Sequence, residues 1–175
     1  MESQIATEKH LSGSIVTASS ASECLQLSVQ LQSISKVIFI DAGNVFNPYY
    51  LHRTFRGEME IREALSNINI SRPFTIYQLR QVILDLLPES GHSGSGNEGA
   101  STISLPHGSK VLIIPCIDDM FYEDGLDREE AKQVFMQTIS ILRETVAKSS
   151  CYCFISFIGK YYRRMFESGD LITLQ

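Results

Sequence analysis

The sequence predicts an α/β fold, a three-layer arrangement in which a mainly parallel β-sheet is flanked by helices. Three observations predict it. Five or six short apolar runs, rich in β-branched or aromatic residues, recur along the chain. Segments of helical period separate them, which is the pattern of βαβ units. Two of the runs, Lys36-Val37-Ile38-Phe39-Ile40-Asp41 and Lys110-Val111-Leu112-Ile113-Ile114, are continuously apolar inside, as a strand covered on both faces requires.

The elements follow in order. Ser14-Ile15-Val16-Thr17, opened by Gly13, reads as the first strand. A helix follows it, with Leu25, Val29 and Gln32 on one face and Leu27 and Leu31 beside them. After the second strand, Asn47 and Pro48 mark a helix start, since proline is tolerated in a first turn. Helical period runs on through Leu51, Phe55, Ile61 and Leu65, with a break expected near Gly57. Ile68 to Ser71 fits a short strand. Thr75 is placed to cap a helix carrying Leu79, Val82, Ile83 and Leu86, stopped by Pro88. Asp127 is placed to cap a long helix from Arg128 to Lys148. Tyr152 to Phe157 reads as a strand, Gly159 to Phe166 as a basic, aromatic segment, and Leu171 to Leu174 as a last edge strand.

Between them, residues 89 to 104 (ESGHSGSGNEGASTIS) are Gly/Ser-rich and almost without apolar anchors, so a flexible surface loop is expected. Their glycines do not lead from a strand into a helix, as a phosphate cradle would require. Residues 1 to 11 read as an N-terminal tail and residues 12 to 175 as one core domain.

Length and composition agree with one domain: 175 residues, 43% of them hydrophobic, suffice for a single sizeable core. The net charge of −5 argues against a dedicated nucleic-acid binder. The charge is concentrated. Residues 118 to 130 (DDMFYEDGLDREE) carry seven acids and one arginine, and the remainder of the chain is close to neutral. No apolar run approaches the roughly 20 residues that span a bilayer, and the polar opening MESQIATEKH lacks a signal-peptide core. A soluble, intracellular protein is expected, with no membrane partner and reduced thiols. Cys24, Cys116, Cys151 and Cys153 lack the paired spacing of a metal site and are read as buried thiols. His10, His92 and His107 fall in loops or the terminus, and His52 has no evident Ser or Cys partner, so no nucleophile-plus-base set assembles. No catalytic residue is expected.

Four stretches, in order, resemble the ATPase core of RecA-type recombinases, including archaeal RadA and the eukaryotic recombinase paralogues. The most telling is Val37-Ile38-Phe39-Ile40-Asp41-Ala42-Gly43-Asn44-Val45-Phe46-Asn47-Pro48, similar to that family's apolar strand followed by Asp-x-Glu-Gly-x-Phe and a helix. The others are Ile15 to Leu27, at the place of the phosphate loop G-x-x-x-x-G-K-[ST]; Ile70 to Leu79, like the strand and helix before the metal-binding strand; and Lys110 to Pro115, like that strand itself. The resemblance covers roughly residues 12 to 175.

The resemblance implies a nucleotide site at which this chain has lost the necessary chemistry. Thr17 and Ser22 stand where the two loop glycines belong, Glu23 where the lysine neutralises phosphate charge, and Cys24 where a hydroxyl would bind Mg²⁺. Gly43 stands where the water-activating glutamate would be. Side chains at the glycine positions hinder the backbone wrap, and Glu23 replaces attraction with repulsion. No cofactor is therefore expected, and ATP with Mg²⁺ belongs only to an alternative. Asp118, Asp119, Glu123 and Asp124 offer carboxylates for a divalent cation, but their spacing matches no calcium loop, and an acidic, solvated loop is the preferred reading.

Lys160-Tyr161-Tyr162-Arg163-Arg164 combines cations with stacking rings, as single-stranded nucleic acid would require, and Lys160, Tyr161, Arg163 and Arg164 are its candidate contacts. The competing reading is an amphipathic surface helix with its tyrosines turned inward. The resemblance thus implies a non-catalytic RecA-like accessory protein in DNA recombination or repair. It would act through a recombinase, a RecA-like paralogue or itself, with single-stranded DNA as a candidate ligand. Two alternatives stand beside it: an unconventional ATP-binding protein or weak ATPase, and a RecA-like regulatory module unrelated to DNA.

Overall fold

The computed structural model describes residues 13–49, 57–87, 111–149 and 151–168. The N-terminal tail, the Gly/Ser-rich stretch at 89–104, His52 and the strand expected at Leu171 to Leu174 lie outside the described residues.

The fold is α/β, with five parallel strands in the order β1-β5-β4-β2-β3. The strands are β1 (Ile15–Thr17), β2 (Val37–Ile40), β3 (Ile68–Ser71), β4 (Val111–Ile114) and β5 (Tyr152–Ile155). The helices are α1 (Ala21–Leu31), α2 (Glu58–Ser66), α3 (Ile76–Asp85), α4 (Arg128–Ser149) and α5 (Lys160–Ser168). A short 3₁₀ turn, Asp119–Tyr122, follows β4.

The two continuously apolar runs take the interior of the sheet, β2 and β4 pairing in register Val37 with Val111 and Phe39 with Ile113. Side-chain alternation then splits them between two cores. Ile38, Ile40, Leu112 and Ile114 face α3, α4 and α5, where Leu79, Ile83, Phe135 and Leu142 close the larger core. Val37, Phe39, Val111 and Ile113 face α1, meeting Cys24 with Leu27 and Leu31 at the margin. Ile61 of α2 packs on Val29 of α1, on that same side. Each fully buried Ile or Leu contributes about 1.5–3 kcal/mol relative to exposure, so this double layer is the main source of stability.

Local signals set the helix ends. The Thr75 hydroxyl accepts from the Gln78 N–H, and Asp127 Oδ1 accepts from the N–H groups of Glu129 and Glu130 at 3.0 and 2.9 Å. Gly57 is the N-cap of α2, where the break was expected. Three details differ from the sequence reading. α1 buries Cys24 and Ser28 beside the expected Val29 and Gln32, the Ser28 hydroxyl donating to the Leu25 carbonyl, while Leu25 is only partly buried. β5 ends at Ile155, two residues early, although the Ser156 N–H still donates to the Ile114 carbonyl at 3.2 Å. The acidic stretch 118–130 is not a solvated loop throughout: Asp118, Met120 and Phe121 are buried at its start.

The chain leaves β2 toward β3 but leaves β4 toward β5, in opposite directions along the sheet. The helices that follow, α2 and α4, lie on opposite faces. The carboxyl ends of β2 and β4 therefore flank the topological switch point, the place where open parallel sheets form a crevice.

Candidate functional site

At the carboxyl end of β1, the turn into α1 is closed by the protein's own groups. Ser20 is the N-cap, its hydroxyl accepting from the Glu23 N–H at 3.2 Å. The Glu23 carboxylate bends back, and its Oε2 accepts from both the Ser19 N–H and the Ser19 hydroxyl at 2.6 Å. These bonds hold its carboxyl below the usual carboxylate value, the Ser19 hydroxyl contributing most. The sequence carried the signal in Ser20-x-x-Glu23, a capping-box spacing that the phosphate-loop alignment obscured. Thr17 ends β1, and Ser22 is exposed on the first turn of α1. Cys24 is fully buried, and burial pushes its thiol up to about 11 against the pull of the Ser156 hydroxyl.

The switch-point crevice holds a cleft of about 460 Å³, lined among others by Asp41, Asn44, Arg72, Phe74 and Asp119. Asp41, fully buried, organises it. Its Oδ1 accepts from the Val45 N–H at 2.7 Å, and its Oδ2 from Nε and Nη2 of Arg72 at 3.0 and 2.8 Å. Sequence reasoning missed Arg72, because its partner stands 31 positions earlier. Gly43, just past β2, sits against Cys116, just past β4: a Cβ there would lie 2.6 Å from Cys116 Cβ. Asn44 and Cys116 both adopt left-handed backbone, with φ of 50° and 49°, so the two strand ends turn sharply where they meet.

Asp118 serves the backbone. Its two carboxylate oxygens accept from the N–H groups of Ile158 and Gly159 at 2.8 and 3.0 Å, tying the β4 exit to the start of α5. Burial nevertheless raises its carboxyl above the ordinary value. Asp119 lines the switch-point cleft instead, so the two neighbouring acids do not share a site. Among the described residues, no group of three or more His, Cys, Asp or Glu side chains converges as a metal site. All four cysteines are free and buried, which leaves no activated thiol.

A second cleft, of about 660 Å³, opens between the 3₁₀ turn, the acidic loop after it, the start of α4 and α5. It divides the basic, aromatic segment. Tyr162 is buried, its hydroxyl donating to the Phe121 carbonyl at 3.3 Å. Tyr161 is 54% exposed and lines the cleft. Lys160, Arg163 and Arg164 are exposed, with Arg163 Nε paired to Glu167 at 2.8 Å. One tyrosine turns inward and one outward, so the two sequence readings of this segment each describe part of it.

Among the described residues, no helix is long and apolar enough to cross a membrane. No protein-family model matches the chain, and no curated protein matches it.

Proposed function

We propose that this chain is a non-catalytic RecA-like accessory protein of DNA recombination or repair, working through a protein partner: a recombinase, a RecA-like paralogue or a second copy of itself. The observation that carries the reading is the Glu23 carboxylate folded onto Ser19. A helix N-terminus binds phosphate through unclaimed backbone N–H groups and its positive dipole end. Here the protein's own carboxylate takes the Ser19 N–H, and the Ser20 hydroxyl takes that of Glu23. A triphosphate would meet a negative charge and occupied donors.

Gly43 supports the same reading. The resemblance places a water-activating glutamate at this position, and the close approach of Cys116 leaves no room for any side chain. With both the cradle and the carboxylate gone, a core of this kind keeps its surfaces for binding. Single-stranded DNA would fall to the exposed cations Lys160, Arg163 and Arg164 of α5.

Isothermal titration of the full chain with ATP and Mg²⁺ tests the first half of the proposal. No binding heat is expected up to millimolar nucleotide, and micromolar affinity would overturn it. Pull-down from the source cell tests the second half. Recovery of a recombinase or RecA-like protein is expected, and a partner set containing neither would remove the link to recombination.

A further inference from the structure

The larger cleft carries three tyrosine rings in nearly perpendicular array. Tyr122 and Tyr162 meet edge-to-face at 5.2 Å and 71°, and Tyr161 and Tyr162 at 5.0 Å and 81°. Tyr162 forms the floor, while Tyr122 and Tyr161, 44% and 54% exposed, stand as walls. Two of the rings are fixed in place. The Tyr162 hydroxyl donates to the Phe121 carbonyl, and the Tyr122 ring packs against the backbone of Gly159. Gly159 completes the fit, since a Cβ there would overlap the Tyr122 hydroxyl.

The rim has one dominant sign. Glu123, Asp124 and Glu129 line the cleft against the single cation Arg128. It belongs to the segment 118 to 130, which carries seven of the chain's 20 acids. Aromatic faces present negative potential to a cation within about 6 Å of the ring centre, and carboxylates at the rim add to it. A phosphate backbone would be repelled from the same place. The volume, about 660 Å³, exceeds what one side chain fills and suits a short stretch of peptide.

We propose that this tyrosine-lined, acidic cleft docks a lysine- or arginine-rich segment of a partner protein, one cationic side chain entering between Tyr122 and Tyr161. The site stands on the cleft alone and not on the RecA-like reading, so peptide and nucleotide titrations fail independently.

The test uses the full chain and a fluorescein-labelled peptide of alternating lysine and glycine, followed by anisotropy at fixed salt. Saturable binding is expected. Tyr161→Ala, which leaves the net charge unchanged, should weaken it about tenfold, and Tyr161→Phe should restore it. Glu123→Gln with Asp124→Asn should weaken it comparably, and Glu63→Gln on α2 should not. Tetramethylammonium should compete better than sodium at equal ionic strength. The proposal is overturned if the peptide fails to bind, if Tyr161→Ala binds as the parent does, or if tetramethylammonium binds where the peptide does not. It is equally overturned if an oligothymidylate occupies the cleft and is released by Tyr161→Ala.

Discussion

Arg72 reaches across from the end of β3 to the buried carboxylate of Asp41 at the end of β2, Nη2 to Oδ2 at 2.8 Å, with its own side chain still 42% exposed. The pair is asymmetric: one partner is out of water and the other half in it. The Asp41 carboxylate also accepts from the N–H groups of Val45 and Phe46 and so shapes the backbone after β2. Removing Arg72 leaves that charge short of its strongest partner, but water can enter where the guanidinium stood. Arg72→Ala should therefore cost about 1–3 kcal/mol, below the figure for breaking a fully buried pair. Asp41→Ala should cost more, because it also releases two backbone donors. Urea midpoints of the two variants check the order.

The close approach of Gly43 to Cys116 makes a coupled prediction. Gly43→Ala places a Cβ 2.6 Å from Cys116 Cβ, an overlap costing about 1–3 kcal/mol. Cys116→Gly removes that Cβ and relieves a left-handed φ of 49°. The double variant should thus recover most of the loss. Gly43→Glu, which supplies the carboxylate that the proposed resemblance places there, should lower stability and give no ATP hydrolysis. Additive urea midpoints in the Gly43 and Cys116 cycle would contradict the proposed contact.

Much of the frame was readable because its signals are local. Thr75 and Asp127 announce their helices within three residues, and the unbroken apolar runs of β2 and β4 state that both faces are covered. The carboxyl-end chemistry was harder to read because its partners lie far apart in the chain. Asp118 read as part of an acidic, solvated loop beside Asp119, yet it is buried and its oxygens accept from N–H groups forty residues on. Tyr161 and Tyr162 are adjacent in sequence and opposite in fate, which only the packing of α5 on Phe121 and Phe135 decides. The role of Glu23 in closing its turn onto Ser19 was carried by the Ser20-x-x-Glu23 spacing alone.

The Asp118 clamp should be sensitive to the loss of either oxygen. Asp118→Asn keeps one acceptor for the Ile158 or Gly159 N–H and abandons the other, costing about 1–3 kcal/mol. Its pH signature has a definite sign. Burial raises the native carboxyl above the ordinary 3.8, so between that value and the raised one the native state holds a proton that the unfolded chain has released. Stability from this source is complete below the ordinary value and is lost as pH rises through the raised one. Parent and Asp118→Asn should therefore differ in the slope of stability with pH on the acid side, and parallel curves would count against it.

The thiols titrate at the other end of the scale. Burial pushes Cys24 and Cys151 from the ordinary 9.0 up to about 11, and holds Cys153 well above 9.0 as well. Between those values the folded protein keeps protons that the unfolded chain has lost. Stability from the thiols is therefore whole below pH 9 and declines as pH climbs through 11. At pH 8, only roughly one Cys24 in a thousand is a thiolate in the native state. Reaction with a thiol reagent should then wait on unfolding, its rate rising with urea in step with the loss of helix. Fast labelling of Cys24 in the folded chain would place that thiol in water, and with it the face of α1 that here packs on Phe39 and Ile113.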